Sequence, residues 1–121
     1  MLELTINNEV YEFNFGMGFM REINKKVSTQ VEGTQITKNI GLQYYIAGII
    51  DGDVEALVDV LDAANKGQKP RITKACLDAY IDDENTDIDA LFDDVIDFLK
   101  RANATKKIAT SLLEALEEVK Q

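Results

Sequence analysis

The chain opens on alternation. Leu2, Leu4 and Ile6 are separated by Glu3 and Thr5, and Tyr11, Phe13 and Phe15 by Glu12 and Asn14. That period of two predicts two half-buried strands forming a hairpin that turns near Asn7-Asn8-Glu9. Parity constrains the pairing. The first apolar set is even-numbered and the second odd-numbered, so same-face partners need an odd sum, which a loop of two or four residues supplies. Pairing Ile6 with Tyr11, Leu4 with Phe13 and Leu2 with Phe15 places all six on one side. Two strands alone are marginal in water, so that face must pack on helices.

At Gly16 and Gly18 the period changes. Met20, Ile23 and Val27 then fall three and four apart, which predicts a first helix over 17–28. The stretch 10–27, VYEFNFGMGFMREINKKV, holds three of the five Phe residues and reads as a strand-to-helix corner that buries a core. Residues 28–37 are polar, contain Gly33, and read as a loop. Thr37 is placed to cap a second helix over 38–50 with Leu42, Tyr45, Ile46 and Ile49 inward. Helix is preferred there to a buried strand over 44–50, although Gly41 and Gly48 each weaken it by about 1 kcal/mol relative to alanine.

Asp53 caps a third helix over 54–65 with Val54, Leu57, Val58 and Leu61 inward, and Gly67 stands where a helix ends. After Pro70, the only proline, Thr73 caps a fourth helix over 74–82 with Cys76, Leu77, Tyr80 and Ile81. Thr86 and Asp89 have capping-box spacing. A fifth helix over 87–103 repeats Ile88, Leu91, Phe92, Val95, Ile96 and Leu99, with acids at its start and Lys100-Arg101 at its end, matching the macrodipole. Phe92 and Ile96 are expected in the core, where truncation to alanine costs roughly 3–5 and 2–5 kcal/mol. A last helix starts near Thr105 and carries Ile108, Leu112, Leu113, Leu116 and Val119. The expectation is an α+β fold, mostly α: an N-terminal hairpin (1–15) packed on a bundle of five to six helices (17–121) in one domain of 121 residues.

Composition then narrows function. The formal net charge of −9 lacks the basic footprint that nucleic acid requires, and favours solubility and basic partners. The longest apolar-leaning run, 40–50, falls short of the ~20 residues of a membrane helix, and the start lacks a signal peptide's pattern. With no histidine, the commonest general base and metal ligand is missing. Cys76 has no partner for a disulfide, which favours the cytoplasm, and reads as a small buried thiol.

The densest acidic stretch, 82–97, puts Asp83, Asn85, Asp87 and Asp89 at calcium-loop positions. Ile88 occupies the place that needs glycine, and Asp94 replaces the long bidentate glutamate. A helix cap and a solvated face explain these acids better. No catalytic, cofactor or metal set emerges. The C-terminal segment ATKKIATSLLEALEEVK reads first as one more core helix, and second as a detachable helix for a partner's groove.

The opening MLELTINNEVYEFNFGMGFMREINKKV resembles the start of tail assembly chaperones of long-tailed bacteriophages and prophages of Gram-positive hosts. The acidic helices and DALFDDVIDFLK that follow continue the similarity over most of the chain. The resemblance implies a non-enzymatic protein in the host bacterial cytoplasm, absent from the mature virion. It would hold the tape measure protein before tail tube subunits are recruited, and self-associate along it. Many members also have a longer, frameshifted form that meets the tube protein. An end at Gln121 without a visible second domain matches the short form. Met17, Met20, Leu112, Leu113 and Leu116 are the candidate partner-binding residues, as adaptable apolar surface. The rival reading is an acidic inhibitor that mimics DNA, although its acids cluster at one helix start rather than along two tracks.

Overall fold

A computed structural model describes residues 1–120, with side chains to Glu117. The architecture is α+β and mostly helical. β1 (Leu2–Ile6) and β2 (Glu9–Phe13) form an antiparallel hairpin. Asn7 and Asn8 make a two-residue turn with φ of 54° and 67°. Positive φ at both positions matches the twist of the flanking strands, and asparagine tolerates it better than most residues. The parity expectation holds, and Leu4 and Phe13 face inward, Phe13 fully buried. The expected register is two residues off. Leu2 pairs with Phe13, Leu4 with Tyr11 and Ile6 with Glu9. The two-residue turn keeps pairs that a four-residue loop would give up.

α1 (Met17–Asn24) buries Phe19 and Ile23. It ends four residues before the expected boundary because the start of α2 abuts it. The Asn24 side chain accepts from Leu42 N–H at 3.2 Å, and a Cβ on Gly41 would stand 2.0 Å from the Ile23 carbonyl oxygen. Gly41 is therefore a point of close approach, not merely a weak helix former.

Residues 28–37, expected as a loop, lie in a second hairpin, β3 (Ser28–Gln30) with β4 (Thr37–Asn39), which also takes Lys38 and Asn39 from the helix expected over 38–50. Thr37 lies in that strand and caps nothing. All six strand residues are exposed, so there was no apolar face to read.

α2 (Gly41–Ile50) buries Leu42, Ile46 and Ile49, which decides for helix over strand. α3 (Val54–Asn65) has the expected bounds. Asp53 caps it through Glu55 N at 3.0 Å and Ala56 N at 3.4 Å, and Gly67 follows with φ of 86°. Its buried stripe is rotated from the expected one. Ala56, Leu57, Val60, Leu61, Ala63 and Ala64 are inside, Val58 is half-buried, and Val54 is 42% exposed. α3 packs on α1, α2, α4 and β2, so more than one of its faces is covered, and its alanines let those partners approach.

α4 (Lys74–Asp82) starts at Thr73, whose hydroxyl accepts from Cys76 N at 3.1 Å. Cys76 is half-buried rather than buried. α5 (Ile88–Arg101) is capped by Asp87, which accepts from Ala90 N at 3.0 Å, and not by Thr86. The Thr86 hydroxyl instead donates to the Tyr80 carbonyl at 2.6 Å, tying the end of α4 to the loop. α6 (Lys106–Lys120) packs on α2 and α5. Before it, fully buried Thr105 donates to the Leu99 carbonyl at 2.6 Å. The expected contribution of the Val119 side chain lies outside the described side chains.

On α5 the buried residues are Leu91, Val95 and Leu99, while Ile88, Phe92 and Ile96 are half-buried. The expected core placement of Phe92 and Ile96 is thus corrected: their row faces a surface groove. Leu91→Ala and Leu99→Ala should each cost about 2–5 kcal/mol, and Phe92→Ala and Ile96→Ala less than about 2. Denaturant titration of the four variants checks the order.

One buried side chain joins the hairpin to the helices. Asn65 is fully buried at the end of α3. Its amide N–H groups donate to the Glu12 carbonyl at 2.9 Å and the Pro70 carbonyl at 3.2 Å. Its oxygen accepts from Ile72 N at 2.7 Å and Arg71 Nη1 at 3.0 Å. Asn65→Ala would strand several of these groups at ~1–3 kcal/mol each. A loss of about 3 kcal/mol or more in denaturant unfolding is expected, against little change for the nearby exposed Lys69→Ala.

Candidate partner-binding surfaces

The corner between β2 and α1 is aromatic. Phe15 and Phe19 meet edge to face at 5.1 Å, and Phe15 lies 6.0 Å from Phe98 of α5. Beside them is a surface depression of about 370 Å³ lined by Met1, Phe15, Met17, Phe98 and Arg101 among others. The Arg101 guanidinium sits over the Phe98 ring at 4.6 Å and pairs with Asp97 at 2.9 Å. Met17 is 46% exposed at this depression, while Met20 is half-buried against the core. Leu112 also packs against the core, and Leu113 and Leu116 are half-buried on α6. None of those three leucines lines the depression that holds Met17.

A second, larger concavity of about 530 Å³ runs between the α2–α3 corner and α5. Ile49, Ile50, Gly52 and Val54 form one wall, and Ile88, Phe92 and Ile96 the other, with Asp89 and Asp93 on the α5 rim. The sequence reading missed it because Ile49, Val54, Ile88, Phe92 and Ile96 were all expected to face inward. The apolar stripe of α5 holds two rows, 88/92/96 and 91/95/99, which is the ordinary width of a core-facing helix, so its pattern carried no signal that one row would stay half-covered.

Five of the cations are paired with carboxylates among the described residues. Lys25 and Lys66 both donate to Glu22, at 2.9 and 3.0 Å, and hold its carboxyl at about 2. Arg71 pairs with Asp62 at 3.0 Å, and Lys74 with Asp59 at 2.9 Å. Asp59 also accepts from the Tyr45 hydroxyl at 3.2 Å, and burial, followed by that carboxylate, pushes the Tyr45 phenol up. The acids of 82–97 are mostly exposed, and two have local backbone roles: Asp87 as a cap, and Asp83 accepting from Asn85 N at 2.9 Å. Among the described residues, no three carboxylate or thiol groups converge as metal ligands.

A family model described as phage tail assembly chaperone protein matches residues 3–114, from β1 into α6. The chain belongs to that family. No curated protein and no solved structure matches it. Membership makes tail proteins the general class of partner, and both concavities of this chaperone are apolar surfaces of the kind a partner covers.

The Glu22 cluster predicts a pH dependence. Its folded value, about 2, lies below the ordinary 4.5. Its stabilisation is therefore present above the ordinary value and is lost as pH falls through the folded one. Glu22→Gln should lower the thermal midpoint at pH 7, and the gap to wild type should close by about pH 2. A gap constant from pH 7 downward would contradict this.

Proposed function

We propose that this protein binds the tape measure protein of a long-tailed phage or prophage of a Gram-positive host, without catalysis, and helps recruit tail tube subunits. The observation that carries this reading is the family match across nearly every element. Apolar surface left open at the two concavities supports a holding role, and the net charge of −9 would keep a loaded complex dispersed. Action in the host cytoplasm, absence from the mature virion, self-association along the partner, and a longer form meeting the tube protein belong to the same proposal. Among the described residues, no helix is long and apolar enough to cross a membrane.

Met17, Met20, Leu112, Leu113 and Leu116 remain the proposed contact residues. Met17 stands open, whereas the leucines become fully available only if α6 lifts from α2 and α5.

Co-expression tests the reading. The cognate tape measure protein should shift from the insoluble to the soluble fraction when the chaperone is present, and should co-purify with it. No gain in solubility and no co-purification would end the reading. Retention of DNA-binding proteins instead would favour the DNA-mimic alternative.

A further inference from the structure

The groove between the α2–α3 corner and α5 has a definite shape and a definite charge. Ile88, Phe92 and Ile96 recur every four residues, so their row extends about 12 Å along α5. That matches about two turns of a second helix packed ridge into groove. Val54 closes the opposite wall. Both walls come from helices and the corner joining them, so an extended segment laid here would find no open ladder for its backbone groups. A helix satisfies its own backbone. The rim carries Asp89 and Asp93, and among the described residues no Lys or Arg lines the groove. The corner depression differs in holding Arg101.

We propose that this groove docks an amphipathic helix whose apolar stripe is flanked by Lys or Arg, and that such segments occur in the tape measure protein. The second half rests on the function proposed above; the first half does not.

Two synthetic helical peptides with the same leucine stripe, one flanked by lysines and one by glutamates, serve as probes. Fluorescence anisotropy should show the lysine peptide binding wild type, weakening with salt, and the glutamate peptide failing to bind. Val54→Lys puts an ammonium on the exposed first residue of α3, in the apolar wall and against the peptide's own lysines, and should weaken the lysine peptide about tenfold or more. Asp89→Lys/Asp93→Lys should invert the preference between the peptides. Equal binding of both peptides, or undiminished binding to Val54→Lys, overturns the proposal. So does a change in the oligomeric state of Val54→Lys by light scattering with no peptide binding, which would make a second copy the occupant.

Co-purification with the tape measure protein separates the two readings. If wild type and Val54→Lys retain it equally, the groove assignment falls and the chaperone reading stands. If wild type fails to retain it yet binds the lysine peptide, the groove stands and the chaperone reading falls.

Discussion

The fold depends on the carboxamide of Asn65. Ordering it costs entropy, and burying it would cost several kcal/mol if it were unpaired, but all its hydrogen-bonding capacity is used. It reaches the hairpin through the Glu12 carbonyl and the linker through Pro70, Arg71 and Ile72. One residue earlier, the Ala64 carbonyl accepts from Asn14 N at 2.8 Å. The end of α3 is thereby fixed against β2, and the linker is turned so that Ile72 enters the core and Thr73 stands ready to cap α4. A hydrophobic side chain of similar volume could fill the space, but it could not dictate where these strands of chain cross.

What was legible in the sequence is what local chemistry decides alone. The bounds of α3 and α4 could be read because Asp53, Thr73 and Gly67 act within a turn of themselves. At α5 the cap lay one residue from its expected place, since Thr86 and Asp87 both have the right chemistry and only the tertiary partner, the Tyr80 carbonyl, assigns the threonine elsewhere. The hairpin face was legible from parity, but its register was not, because parity allows both a two-residue and a four-residue loop. β3 and β4 were illegible: strands that bury nothing leave no alternation of polarity. The role of Asn65 had no sequence signal, since a polar residue at a helix end ordinarily points to water.

The groove was hidden for a different reason. Periodicity reports which side of a helix is apolar, not how much of that side is covered. α5 has two apolar rows, and the bundle fully buries one. The other is left half-covered between the α2–α3 corner and solvent, and the acids that follow the same helical repeat become its rim. The Met17 depression reflects the same limit. The sequence marked the corner as aromatic, but only the fold shows that Phe15 and Phe19 close it while Met1 and Met17 stay outside.

Half-covered surface has a consequence for an assembly chaperone. Residues such as Ile88, Phe92 and Ile96 have already lost much of their exposure to the fold, so an incoming helix gains only the remaining area at about 25 cal/mol per Å². From that gain, it must offset the loss of its own translational and rotational freedom. A single short segment held in this way binds weakly and leaves quickly. On the proposed reading, strength would come instead from repetition: many copies along one long partner raise the overall avidity while each contact stays reversible. On the same proposed reading, such a holder would be displaced one copy at a time by a polymerising tube. A fully formed, deeply apolar pocket could hold a segment more tightly, but it would have to be emptied against a larger free-energy difference at every step. Partial burial is thus compatible with both halves of a chaperone's task, holding and letting go.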